Sequence, residues 1–339
     1  MDLRGRITAV MEPALATGKF VGIEVGVLLD GRKNTFGFGY KAAAAKESPD
    51  EDSIFEIGSI TKVFTAVLLA QLKAEGLVSL EDPVRKHLPD GVKVPSRNGK
   101  IIRLHHLATH TSGLPTLPSN LNPRDPENPY GDYKVEDLEK FIGRAKLRRD
   151  PGEAFDYSNV GVGLLGHLLA SRAGLSYEEA VISRICAPLG MKDTGIALSE
   201  DQKTRLLPGH SSDGKRVPYW DVPALAGAGA LRSSVVDMLR FLEASLGSAP
   251  TPLLGALSET QIPRARAGGG MSVGLGWHIS PLGTKDKATL HWHNGGTGGF
   301  SSFAGFVKER GLGVVVLSNA AEQVDTLAHS ILIPLSSGR

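Results

Sequence analysis

An α+β fold, an antiparallel sheet flanked by helices and built from both chain ends with a mostly helical inserted domain, is what this 339-residue sequence predicts. Three observations lead there. Strand-like runs joined by turns lie near both ends of the chain. The middle reads as helical segments divided by Pro- and Asn-rich loops. One sheet drawn from both ends, with the helices inserted between, buries every strand candidate economically. The expected division is 1–76 with 206–339 as an α/β domain, and 77–205 as the helical domain.

The elements follow in order. Val21-Gly22-Ile23-Glu24-Val25-Gly26-Val27-Leu28-Leu29 is rich in β-branched residues, Asp30-Gly31 marks a turn, and Thr35–Tyr40 alternates, so a hairpin is expected over 21–40. A helix is expected at about 60–75, because Val63, Val67, Leu68 and Leu72 recur at helical spacing before Gly76. Helical segments 135–146 and 160–173 come next, with a Pro- and Asn-rich loop at 113–131. Beyond 205, a Gly-rich entry at 226 leads into a helix from Val235 to Leu246. Ser302–Val307 and Gly313–Ser318 flank a Lys-Glu-Arg-Gly turn as a second hairpin, and a closing helix runs over about 322–335.

Composition limits the function. With 41% hydrophobic and 22% charged residues the chain is an ordinary folded protein, not a disordered or fibrous one. Lys and Arg total 38 against 36 Asp and Glu, so no nucleic-acid or membrane-surface partner is expected. No stretch approaches the roughly 18 apolar residues of a membrane helix. Met1–Arg6 leads into no apolar h-region, so the sequence as it stands predicts a cytoplasmic protein, or a periplasmic or secreted one if a signal has been removed. The lone Cys186 excludes an intramolecular disulfide framework and a multi-cysteine metal site, and is read as a buried thiol.

Ser59-Ile60-Thr61-Lys62 is the first chemical candidate. Three residues apart on a helix, the hydroxyl and the amine share a face. A helix start offers unpaired N–H groups and positive potential, and burial lowers a lysine from its usual value near 10.4. Chance alone supplies about one S-x-x-K in a chain of this length. A second copy, Ser212-Asp213-Gly214-Lys215, lies in a polar turn and is read as accidental. Gly270-Met271-Ser272-Val273-Gly274 matches a nucleophile elbow in letters only, since no helix follows it. His106 and His110 have metal-ligand spacing but lack the zincin glutamate, and His110 is given a structural role beside the Thr-Ser-Gly turn. No metal and no cofactor is expected. Tyr157-Ser158-Asn159 precedes an apolar helix; Tyr157 and Asn159 can point into one cleft, or Asn159 caps the helix while Tyr157 packs. His293-Asn294-Gly295 opens a Gly-rich segment that lets a strand approach a ligand closely.

In order, Ser59-x-x-Lys62, Tyr157-x-Asn159 and His293-x-Gly295 resemble the three motifs of the penicillin-recognising serine hydrolases. The branch is that of class C β-lactamases, low-molecular-weight DD-peptidases and family VIII carboxylesterases. Phe55–Lys62, Leu107–Pro115, Pro188–Met191 and Gly313–Asn319 add to the similarity, which spans about 20–320. The resemblance implies an active site in the cleft between the two domains, with Ser59 as the acylated nucleophile and Lys62 and Tyr157 sharing proton transfer. It implies Asn159 on a substrate amide, His293, Asn294 and Gly295 on the substrate, and an oxyanion hole from the N–H groups of Ser59 and Gly296.

One departure bears on substrate. The class C third motif is Lys-Thr-Gly, and its ammonium helps recognise the β-lactam carboxylate; here His293 takes that place, ordinarily neutral near pH 7. The sequence therefore predicts a serine acyl hydrolase acting on β-lactams or D-amino-acid amide and peptide bonds. The alternatives are a carboxylesterase for short acyl esters and, further off, a non-catalytic ligand-binding relative. The expected partner is a small-molecule or short-peptide acyl substrate, with oligomeric state unread. The loop 113–131 and segment 218–232 are expected to border the cleft, with Tyr130, Tyr133 and Trp220 shaping it.

Overall fold

A computed structural model describes residues 2–283 and 288–337. Helix α1 (Leu3–Ala16) is capped by Asp2, whose carboxylate accepts the Gly5 N–H. Strands β1 (Gly22–Leu29) and β2 (Arg32–Gly39) form the expected hairpin. Its turn residues Asp30 and Gly31 both take positive φ, 52° and 72°, as a two-residue type I′ connection demands. Then come β3 (Ile54–Glu56) and α2 (Thr61–Ala74). The middle of the chain supplies α3 (Leu104–Ala108), α4 (Val135–Ile142), α5 (Asn159–Ala173) and α6 (Tyr177–Val181). The helix expected over 135–146 ends four residues early, at Ile142, with Gly143 as its C-cap.

The return to the sheet runs through α7 (Ala226–Gly229), β4 (Arg232–Ser234), α8 (Val235–Leu246) and α9 (Leu254–Thr260). It continues with β5 (Ala265–Gly268), β6 (Met271–Val273), β7 (His278–Pro281), β8 (Thr289–Gly296), β9 (Ser301–Val307) and β10 (Leu312–Ser318). Helix α10 (Asp325–Ser337) closes the described chain. The main sheet has eight antiparallel strands in the order β2-β1-β10-β9-β8-β7-β6-β5. The β1–β10 pair, Ile23 opposite Ser318 through Leu29 opposite Leu312, is the seam between strands from the two ends of the chain.

Strand parity then divides the core. Ile23, Val25 and Val27 of β1 with Val314 and Val316 of β10 pack against Ile7 and Met11 of α1 and Ile331 and Leu332 of α10. The opposite face, with Leu28, Val315 and Leu317, joins the larger cluster around α2, α5 and α8. Helix α2 lies between sheet and helical segments, and eleven of its fourteen residues are buried. Its Phe64 stacks on Phe241 of α8 at 4.4 Å. Each such side chain removed from water contributes about 1.5–3 kcal/mol. A helix packed that tightly holds the residues at its start in fixed positions.

Candidate active site

Ser59 does not sit in α2 itself. It occupies a single 3₁₀ turn, Gly58–Ile60, that leads directly into the helix. In that tighter geometry residues i and i+3 eclipse, which brings Lys62 over Ser59. The Lys62 Nζ donates to Ser59 Oγ at 2.7 Å and to the Ala228 carbonyl of α7 at 2.7 Å. Lys62 is wholly buried, and burial holds its amine well below the ordinary lysine value. An uncharged amine in contact with a hydroxyl can take its proton.

Gly58 and Gly295 are what let the third motif reach this turn. Gly58 has φ of 48°, and a Cβ there would lie 2.7 Å from the Gly296 nitrogen. A Cβ on Gly295 would lie 2.1 Å from the Ile57 carbonyl and 3.0 Å from the Ser59 nitrogen. Two backbones therefore meet where side chains would hold them apart. Ser302 Oγ fastens β9 to the same turn by donating to the Ile57 carbonyl at 2.8 Å.

Tyr157 arrives from the loop before α5. Its hydroxyl is pushed up to about 12 by burial, while a hydrogen bond with Ser59 works in the opposite direction. Ser158, not Asn159, caps α5: its Oγ accepts the Gly161 N–H at 2.9 Å and donates to the Pro115 carbonyl at 2.7 Å. Asn159 is thereby released from capping and borders the cleft that Ser59 and Gly296 also border. The expectation that Asn159 caps the helix is thus corrected: the cap is Ser158, one residue earlier.

The opposite wall comes from the segment after 218. Tyr130 packs edge-on against Trp220 at 5.3 Å, and Val222 and Leu225 line the cleft below them. Trp220 is fixed at three points: its backbone N–H donates to Glu56, its indole N–H to the Glu127 carbonyl, and its carbonyl accepts from Arg232. Asn128 and Asp221 exchange two hydrogen bonds, tying the loop 113–131 to this wall. Tyr133, expected beside them, is buried and donates to Asn120 instead.

The third motif is divided by the pleat of β8. His293 is fully buried and does not border the cleft; its Nδ1 donates to the Asn294 carbonyl, and its ring centre lies 6.3 Å from that of Tyr157. Desolvation, with His278 and Lys62 adding to it, holds His293 well below the usual histidine value. Asn294 was expected on substrate, but its side-chain amide donates to Asp325 of α10 at 2.8 Å, on the far face of the sheet. Neighbours on a strand point to opposite sides, so residues 293 and 295 cannot share a face with 294.

The other candidates separate cleanly. Lys215 is exposed, paired with Asp213 and raised rather than lowered. Ser272 lies in β6 between two strands, with no turn into a helix. His106 Nδ1 accepts the Arg103 N–H at the start of α3, whereas His110 stacks on Tyr157 at 4.4 Å; the two rings serve different neighbours. Cys186 is buried, its thiol pushed up to about 12. Sequence reasoning missed two contributors. The Ala228 carbonyl is main chain and has no residue signature, and His278, held near 4 by burial, was seen only as part of a non-helical run.

The sequence profile of the Beta-lactamase family matches residues 7–333. The chain belongs to that family. This β-lactamase-family protein is 29% identical to a β-lactamase of Pseudomonas fluorescens over 98% of each chain. It is 30% identical to the D-alanyl-D-alanine-carboxypeptidase/endopeptidase AmpH of Escherichia coli, covering 86% of this chain and 77% of that protein. Its fold matches a class C β-lactamase with a TM-score of 0.86 at 22% identity, over 97% of this chain and 95% of the other. A D-alanine carboxypeptidase from Burkholderia cenocepacia superposes with a TM-score of 0.83 at 27% identity, over 98% of both. The family protein is a serine acyl hydrolase, and these relatives favour the β-lactam and D-alanyl side of the expectation over a carboxylesterase. Among the described residues no helix is long and apolar enough to cross a membrane.

Proposed function

We propose that this protein cleaves D-alanyl-type amide bonds of short peptides through an acyl-enzyme on Ser59, and that β-lactams acylate the same serine. The contact that carries this reading is Lys62 Nζ on Ser59 Oγ at 2.7 Å, with the amine buried and held by that burial well below the ordinary lysine value. Lys62 takes the hydroxyl proton as Ser59 Oγ attacks the acyl carbon. The N–H groups of Ser59 and Gly296, brought together by the glycines between them, receive the developing oxyanion; one such donor is commonly worth about 10²–10³ in rate. Tyr157 hands a proton to the leaving amine and later helps water attack the ester, so that one difficult hydrolysis becomes two easier steps. Asn159 holds the substrate amide in the cleft between the sheet-bearing part, 1–76 and 206–339, and the helical part, 77–205.

Peptides are placed ahead of β-lactams on the names of two relatives. These are the D-alanyl-D-alanine-carboxypeptidase/endopeptidase of Escherichia coli and the D-alanine carboxypeptidase of Burkholderia cenocepacia. The buried imidazole of His293 supplies no ammonium for the carboxylate of either substrate class. The test compares rates on a D-Ala-D-Ala peptide, nitrocefin and p-nitrophenyl butyrate, with Ser59→Ala as control. Fastest release from the peptide, and loss of fluorescent-penicillin labelling in Ser59→Ala, are expected. Labelling that persists in Ser59→Ala would reject the nucleophile.

A further inference from the structure

His110 contacts the Tyr157 segment in three separate ways. Its carbonyl accepts the Asp156 N–H at 2.7 Å, on one side of the tyrosine. Its Nδ1 accepts the Ser158 N–H at 3.1 Å, on the other side. Its ring lies against the Tyr157 ring between them, centres 4.4 Å apart and planes 25° from parallel. The peptide groups flanking Tyr157 and the phenol ring itself are thus all fastened to one residue.

The backbone of His110 is held in an uncommon state to do this. Its φ is 56°, left-handed for a residue with a Cβ, a conformation that persists only where surrounding contacts over-determine it. The adjoining Gly152 N–H to Thr111 carbonyl bond, 2.8 Å, ties the same turn to the start of the tyrosine loop. Because Nδ1 accepts, the ring proton belongs on Nε2, which is buried without a protein partner. Burial keeps this imidazole neutral, and the facing groups Lys62 and His278 push the same way. A protonated ring would lose the Nδ1 lone pair and with it the bond to Ser158.

We propose that His110 is a positioning residue for Tyr157, holding the phenol hydroxyl on Ser59 during proton transfer. The inference rests on the part given to Tyr157 above, and its test separates the two. His110→Asn suits a left-handed backbone and offers Oδ1 to the Ser158 N–H, but removes the stacked ring. His110→Phe keeps the stack and removes the acceptor. Each is compared with Tyr157→Phe and with the double variants, using kcat per serine titrated by a fluorescent penicillin and Tm as a check on folding. The expected result is a fall of about ten- to a hundredfold in kcat for each His110 variant, with KM changed less than about threefold, since misplacing a catalytic group by an ångström costs on that scale. In the Tyr157→Phe background the same substitutions should have little further effect, because they act through the absent hydroxyl. Unchanged kcat per titrated serine, or an equal loss with and without the Tyr157 hydroxyl, overturns the role of His110. An unimpaired Tyr157→Phe overturns the role of Tyr157 and, with it, any need to position it.

Discussion

Lys62 carries its amine 5.0 Å from the centre of the Tyr157 ring, so amine and phenol approach Ser59 from adjoining directions. Burial holds Lys62 well below its ordinary value in the folded protein, so the unfolded chain binds its proton more tightly; Lys62 therefore costs stability at neutral pH, and the cost is relieved as pH rises toward the ordinary lysine value of 10.5. Lys62→Met should therefore raise Tm at pH 7, with the gain shrinking by pH 10, while turnover falls by about 10³-fold or more. Paired thermal melts and rate measurements check both halves; a Tm that drops at pH 7 contradicts the argument.

A second buried group titrates in the opposite sense. Glu24, on the inner face of β1, is pushed up to about 9, chiefly by burial and then by Asp50 and Glu51. The folded state keeps a proton that the unfolded chain loses near 4.5, so stability is greatest in acid and declines as pH rises from about 4.5 to 9. Glu24→Gln should stabilise the protein by about 2–3 kcal/mol at pH 7, and by almost nothing near pH 4.5. Urea unfolding at the two pH values measures the difference.

Gly295→Ala tests the backbone contact at Ser59. The added carbon would strike the Ile57 carbonyl and crowd the Ser59 nitrogen, forcing β8 away from the turn. A loss of about 10²–10³ in kcat is expected, with Tm lowered as well. A variant with the parent's kcat would mean that Ser59 and Gly296 need not be so close.

Asn159 and Asn294 offer a matched pair. Asn159→Ala removes an amide that borders the cleft, and kcat/KM on a D-alanyl peptide should drop by about tenfold or more, the worth of one substrate hydrogen bond. Asn294→Ala should leave kcat/KM within about twofold, and cost about 1 kcal/mol by unpairing Asp325. Reversal of that pattern would return Asn294 to the substrate.

The sequence made the sheet legible because its strands announce themselves locally, by β-branched runs and by Asp30-Gly31 at the turn. Ser59 and Lys62 were legible for a related reason: their relationship spans one turn and depends on spacing alone. Tyr157 and Gly296 were not readable from spacing, since only the resemblance joined segments so far apart in the chain. Asn294 was misassigned although strand parity, applied to His293 and Gly295, already sends it to the other face. His110 was read as structural, and its bond to Ser158 fits that; nothing in the letters revealed that the residue between its two partners is Tyr157.

The bond from Ser302 to the Ile57 carbonyl spans 245 residues of chain. Synthesis runs from the N-terminal end, so the turn that holds Ser59 is made long before the strand that fastens it. The order in which the pieces are made therefore puts this closure after the whole of the intervening chain.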